Sequence, residues 1–315
     1  YFFAQSWLCL LPGVLLLSVI GLAEPAVEAI KADSVKPEER GRGYAMMSTL
    51  PRIPAMIAPA IGGIIIADGA SDLGINLSGM RMAYIMLFGG VIAAGLIRLI
   101  FLKDIFRPGE EGSGLGMNVF RDVYETIITS PHAVKRLLML SGFFMFCFHL
   151  DASVRSVYAI DVRDLSTVEW GLIVSTTLVL SSFTTFITGW IVDRYGRKMV
   201  FVPSIMLLAI GSLVFAVSNN FPTFLLSRII GSVGLYGRMV SFQVLIADSI
   251  PVSIRGRIMG VFNIFHSMGS STAIMVSGLL YDVAPVLPFY TSALALVFAS
   301  LMAVKFVHEP AHAQI

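Results

Sequence analysis

The chain has 315 residues, 56% of them hydrophobic and 13% charged, with a mean hydropathy of +0.83 and a formal net charge of +2. That composition excludes an ordinary soluble domain and fits a multi-pass helical membrane protein. The net charge says little about partners, and no basic tract interleaved with aromatics points to nucleic acid, so none is expected. Cys9 and Cys147 both lie in apolar runs and make neither a disulfide framework nor a metal site.

About nine runs are long enough to cross a bilayer, whose apolar core takes about 20 helical residues. The first, roughly residues 8–31, is broken only by Glu24 and Glu28. The second, roughly 43–67, holds Arg52 together with Pro51, Pro54 and Pro59, and the third covers roughly 81–102. A polar stretch follows, loosened by Gly109, Gly112, Gly114 and Gly116. Val119, Phe120, Val123, Tyr124, Ile127 and Ile128 then recur on one face of an amphipathic helix. Such a helix lies on a membrane surface or packs on a bundle. Six further crossings are expected near 136–160, 169–192, 199–217, 222–246, 258–281 and 287–304. The expected fold is all-α, a polytopic transmembrane bundle. Residues 1–102 form one group, 103–135 a linker, 136–307 a six-helix unit and 308–315 a tail.

Charge in the connections sets the orientation. Lys31, Lys36, Arg40 and Arg42; Lys103, Arg107, Arg121, Lys135 and Arg136; Arg194, Arg197 and Lys198; Arg255 and Arg257; and Lys305 all fall on one side. The opposite side has Arg163 and the sequon Asn76-Leu77-Ser78. Basic loops stay inside, so the first set and the C-terminus are expected in the cytoplasm, with the chain in the plasma membrane.

The most informative connection is Gly189-Trp190-Ile191-Val192-Asp193-Arg194-Tyr195-Gly196-Arg197-Lys198. Gly189 is small enough for close helix approach, and Gly196 suits a tight turn. Asp193 is the odd residue, because a positive-inside loop does not need an acid. The pattern Gly-x-x-x-Asp-Arg-x-Gly-Arg-Lys resembles the cytoplasmic loop signature of the major facilitator superfamily at every fixed position. An internal repeat accompanies it. Ala32, Asp33, Ser34, Arg40, Gly41 and Arg42 match Ala247, Asp248, Ser249, Arg255, Gly256 and Arg257, with Gly63 against Gly278 further on. Six helices separate the copies, the parallel repeat of a 6+6 transporter. The resemblance then implies about three helices missing ahead of Tyr1, with roughly three quarters of the family's length present. It also implies a cytoplasmic gate at Gly189, Asp193, Arg194, Gly196, Arg197, Lys198 and Asp248, in which Asp193, Arg197 and Asp248 form a latch.

Ionisable groups inside spanning helices are expensive and are functional candidates by default. These are Glu24, Glu28, Arg52, His149, Asp151, Arg155, Arg238 and His266. Arg81, Arg98 and Arg228 lie near helix ends, from which they can snorkel. Asp151 and Arg155 share a face at i, i+4, either as a neutralising pair or as an acid and a guanidinium for a bound solute. His149 lies about 200° round the helix from Asp151 and among phenylalanines, a packed residue or a proton carrier. Glu24 and Arg52 fall about 12 and 13 Å above the same surface and could pair. Arg238 and His266 match those depths in the second repeat. Ala58-Pro59-Ala60-Ile61-Gly62-Gly63 resembles the end of a motif of drug:proton antiporters, with Ala58 where that motif has glycine and its earlier glycines replaced by Ala45 and Pro54; a bent, closely packed helix is the favoured explanation.

These features imply a secondary transporter that moves a small solute by alternating access. Coupling to protons through Asp151, Glu24 or Glu28 is expected. The proline-glycine stretch favours efflux, and the embedded arginines favour an anionic or polar metabolite. The alternative is a transporter-like sensor that binds solute without moving it; such proteins usually need a signalling tail, and residues 308–315 are too short to be one. No nucleotide-binding loop, metal-ligand cluster or nucleophile elbow is present, so neither an enzyme nor a cofactor is expected. The expected partners are a solute, protons and the bilayer, with the chain a monomer.

Overall fold

The computed structural model describes residues 50–68, 79–101, 126–128, 130, 132–249 and 252–307. These residues are helical apart from short turns. The chain divides into two compact units, Tyr1–Gly114 and Leu115–Ile315.

In the first unit, α1 (Arg52–Asp68) packs against α2 (Gly79–Phe101). A Cβ at Gly79 would lie 2.6 Å from the Ile65 carbonyl oxygen, so the two backbones meet there. Phe88, Leu99 and Ile100 leave α2 with an exposed apolar surface, as a lipid-facing helix requires. Leu50 and Pro51 form a turn and the helix begins at Arg52, whose side chain is exposed. Proline explains the placement, because a missing N–H is harmless only in the first helical turn, where Pro54 falls. Glu24 and Glu28 lie outside the described residues, and so does the pairing of Glu24 with Arg52.

The second unit holds α3 (His132–Ala152), α4 (Thr167–Tyr195), α5 (Arg197–Val217), α6 (Phe221–Ser249), α7 (Val252–Val283) and α8 (Leu287–Phe306). Helix α5 packs on α6 and α8, α3 packs on α7 and α8, and α4 packs on α6. Among the described residues six helices are long and apolar enough to cross a membrane: α2, α3 with its continuation to Val162, α4, α5, α6 and α8. Helix α7 is more polar, carrying Asn263, His266 and the run Ser270-Ser271-Thr272. Of the linker 103–135, the described parts are the helical stretch 126–128, Ser130 and residues 132–135, which already belong to α3, and the face expected from Val119 lies mostly outside them.

Small residues set the helix spacing. A Cβ at Gly234 on α6 would lie 2.5 Å from the Ser204 carbonyl oxygen and 2.8 Å from the Leu208 nitrogen on α5. Gly269 on α7 meets the Gly142 carbonyl on α3 in the same way. Gly189 does not behave as expected. Nothing among the described residues lies within 4 Å of a Cβ built there, so the close approaches fall on other glycines. Packing partners decide this, and spacing along the chain does not reveal them.

The turn between α4 and α5 is a single residue. Gly196 has φ 94° and ψ 160°, and its N–H donates to the Val192 carbonyl oxygen at 3.0 Å. That region is open to glycine and strained for any other residue. Gly196→Ala is expected to lower stability by about 1–3 kcal/mol, read as a fall in thermal midpoint in detergent.

Candidate functional site

Two clusters of polar side chains lie inside the second unit. The first is built on a broken helix. Hydropathy predicts a continuous crossing from 136 to 160, but α3 ends at Ala152. A short turn (Arg155–Val157) and a π-helical turn (Tyr158–Val162) then carry the chain onward. At the break the Val154 N–H turns to the Asp151 carbonyl oxygen, 3.2 Å away. The Leu150 carbonyl loses its intrahelical donor and takes the Ser277 hydroxyl of α7 instead, at 2.5 Å. The Ser153 hydroxyl also reaches Ser277, at 3.0 Å. A neighbouring serine that satisfies a freed backbone group is what makes a broken helix tolerable in a bilayer. π-Helical turns of this kind often mark functional segments.

Asp151 sits at that break with 0% of its side chain exposed. Arg155 Nη2 donates to both its carboxylate oxygens at 2.9 Å, and Nε donates to Oδ2 at 3.3 Å. Ser212 of α5 donates to Oδ2 at 2.6 Å. The carboxylate is therefore pinned between α3 and α5. Ser212 lies fifteen residues along α5 from Arg197, which puts Asp151 about 22 Å from the Gly196 end of the bundle. Arg155 stacks on Phe148 with 5.2 Å to the ring centre. It lines a small cavity of about 70 Å³ together with Arg228 of α6. Arg228 was a snorkelling residue by its position near a helix end; the fold brings it inward beside Arg155. His149 turns the other way, its Nδ1 3.0 Å from the Met145 carbonyl oxygen. That oxygen only accepts, so the nitrogen is the donor.

The second cluster is nearer the Gly196 end. Arg238 of α6 is 3% exposed. Three rings hold its guanidinium: Phe144 at 3.8 Å, Phe242 at 4.6 Å and Phe201 at 6.0 Å from their centres. Such contacts contribute about 0.5–2 kcal/mol each, which helps offset the desolvation of a buried cation. Among the described residues, Nε and Nη2 of Arg238 have no hydrogen-bond partner, nor does the buried Nε2 of His266 on α7. Both side chains line a cavity of about 400 Å³ with Gln243 and Asn263. His266 is further bounded by Phe242 and Phe262 at 6.3 and 6.2 Å. The phenylalanine cradle was not legible in the sequence, because its members come from α3, α5 and α6.

At the Gly196 turn, Arg194 stacks on Trp190 and Tyr195, and Lys198 donates to the Val304 carbonyl oxygen in the last turn of α8 at 2.6 Å. A cation there complements the helix dipole. Asp193 is exposed. The Asp248 side chain, like the repeat copy at 32–43, lies outside what the structure describes.

Comparison with known proteins follows the same lines. The description "Major Facilitator Superfamily" matches residues 1–175 and again 162–314. The quinolone resistance protein NorA of Staphylococcus aureus (strain MRSA252) is 27% identical over 122 residues, 39% of this chain and 31% of that protein. The arabinose-proton symporter of Bacillus subtilis (strain 168) is 30% identical over 118 residues, 37% of this chain and 25% of the symporter. The matched stretches thus span less than a third of either relative's own length. A bacterial homologue of the iron transporter ferroportin, inward-facing, aligns with a TM-score of 0.66 at 18% identity over 86% of this chain and 64% of that one. A bacterial homolog of the human lysosomal transporter Spinster, inward-facing and occupied, gives 0.62 at 14% identity over 90% and 71%. These structural likenesses establish the fold. With the family matched across both units, the chain belongs to the Major Facilitator Superfamily.

Proposed function

We propose that the chain works as part of a secondary transporter that moves a small solute across the plasma membrane by alternating access. The observation that carries this reading is the burial of Asp151 and Arg238 inside helices apolar enough to span a membrane. Such groups are costly there and are retained where they bind or relay something. Proton coupling is proposed through Asp151. Protonation would release Arg155 into the cavity it shares with Arg228, while Ser212 keeps the carboxyl in place. The symporter's name includes the proton, in keeping with this step; export is the proposed direction, and the NorA relative is named for drug resistance. The basic end at Gly196 is proposed to face the cytoplasm, as loop charge indicates.

Solute counterflow in proteoliposomes of the full-length protein tests the reading. Exchange of at least one solute from a broad panel, accelerated by an imposed pH gradient, is expected. Tight binding without exchange would instead make the protein a sensor.

The latch belongs to the same reading. Asp193, Arg197 and Asp248 are proposed to hold the cytoplasmic end closed by about 1–3 kcal/mol, enough to bias a two-state rocker and still release. Asp193→Asn should then abolish transport while solute binding persists. Unchanged transport would reduce these groups to solvated surface charges.

A further inference from the structure

The 400 Å³ cavity at Arg238 and His266 lets the solute be assigned a chemical class. We infer that it binds an organic anion, a carboxylate or phosphate on an apolar or aromatic body. The inference rests on the transporter reading for its purpose, but its chemistry stands on the side chains.

A guanidinium has one edge, Nε–H with Nη2–H, that matches the two oxygens of a carboxylate or phosphate in parallel. Among the described residues, those are the two atoms of Arg238 without a hydrogen-bond partner. The rings of Phe144 and Phe242 occupy its surroundings at 3.8 and 4.6 Å. Ring faces attract the cation but accept no strong hydrogen bond, so the N–H edge, itself buried, is left unspent beside the cavity that the side chain lines. A purely structural arginine buried this deeply would be expected to spend its donors on a carboxylate or on backbone carbonyls.

The rest of the cavity fits the same ligand. Among the described residues its lining includes no Asp or Glu, so a metal ion or an organic cation would meet Arg238 with no compensating charge from them. His266 Nε2 adds a second unpartnered group able to bond an anionic oxygen. Asn263 and Gln243 add neutral polar contacts, and Phe242 and Met239 supply an apolar wall. The volume falls in the usual range for small-molecule sites, about 300–1,000 Å³.

The test uses the full-length protein in detergent, with 1-naphthoate and phenyl phosphate as probes and 1-naphthamide as the neutral control. Thermal stabilisation and titration calorimetry are the readouts. At least one anion is expected to raise the thermal midpoint and to bind at least about 10-fold more tightly than the amide. Arg238→Met should lose that binding by about 10-fold or more, while the ligand-free protein melts no lower than wild type, because a buried cation without a partner is removed. Arg238→Lys should keep a fraction of the affinity, since it retains the charge without the fork. Equal binding of the amide, or undiminished anion binding by Arg238→Met, would overturn the assignment. Marked destabilisation of the ligand-free Arg238→Met protein would show a structural arginine and would also overturn it. Counterflow of only neutral or cationic solutes, with no anion bound, would remove this site and leave the transporter reading standing. Arg238-dependent anion binding without counterflow of any solute would do the reverse.

Discussion

Asp151→Ala should destabilise the second unit by about 3 kcal/mol, near the lower end of what removing one partner of a buried ion pair costs. The carboxylate is fully buried and takes three donations from Arg155 and one from Ser212. Without it Arg155 keeps its charge and loses its counterion. The cavity beside Arg155 admits water, and Phe148 still covers one face, which moderates the loss. Asp151→Asn separates charge from shape, since the amide can still accept from Ser212. It should be less damaging to folding than Asp151→Ala, yet equally unable to relay a proton. The double variant Asp151→Asn, Arg155→Gln removes both charges and should recover most of the stability without transport. Thermal unfolding in detergent, paired with counterflow, reads both quantities. Full transport by the double variant would show that the pair only holds α3 to α5.

A larger effect is expected at Gly234. Valine there places a branched side chain where a single Cβ already meets Ser204 O at 2.5 Å, Leu208 N at 2.8 Å and Leu208 Cγ at 3.0 Å. Two of these are backbone atoms of α5, so no rotamer change relieves the clash. The helices must separate, and the packing they share is lost along their length. A cost of about 3 kcal/mol or more is expected, the upper range for overpacking, with little monodisperse protein recovered on size exclusion. Gly189→Ala and Gly260→Ala are the controls. Both glycines lie in helices with nothing among the described residues within 4 Å of an added Cβ. Alanine is the better helix former by about 1 kcal/mol, so each control should be neutral or slightly stabilising. A normal yield of Gly234→Val would contradict the close α5–α6 packing.

What the sequence makes legible follows from which interactions are local. Hydropathy locates the crossings because burial in lipid acts on each segment separately. The i, i+4 spacing anticipates that Asp151 and Arg155 can meet, and helical periodicity sends His149 to the other side. The break after Ala152 gives no such sign. Ser153 and Val154 are not helix breakers, and the group that makes the break tolerable, Ser277, lies over a hundred residues away. The roles of Arg228 and Gly234 are likewise hidden, because each depends on a partner from another helix. Gly189 shows the converse, a glycine whose motif suggests a packing role that the described residues do not give it. The clearest gain from the fold concerns Arg238. In sequence it is one embedded arginine among several, and its aromatic cradle and its buried, unspent N–H edge exist only once α3, α5 and α6 are assembled.

The central claim is that the Arg238 cavity is reached in turn from the two sides of the membrane. It is tested most directly by placing a cysteine at Asn263, an exposed position on the cavity wall, in full-length protein whose native cysteines, Cys9 and Cys147 among them, are replaced by alanine. A membrane-impermeant maleimide is then applied to one side or the other of reconstituted vesicles of known orientation. Alternating access predicts labelling from both sides, with a bound solute slowing both and an imposed pH gradient changing their ratio. Labelling confined to one side under every gradient and solute condition would contradict it.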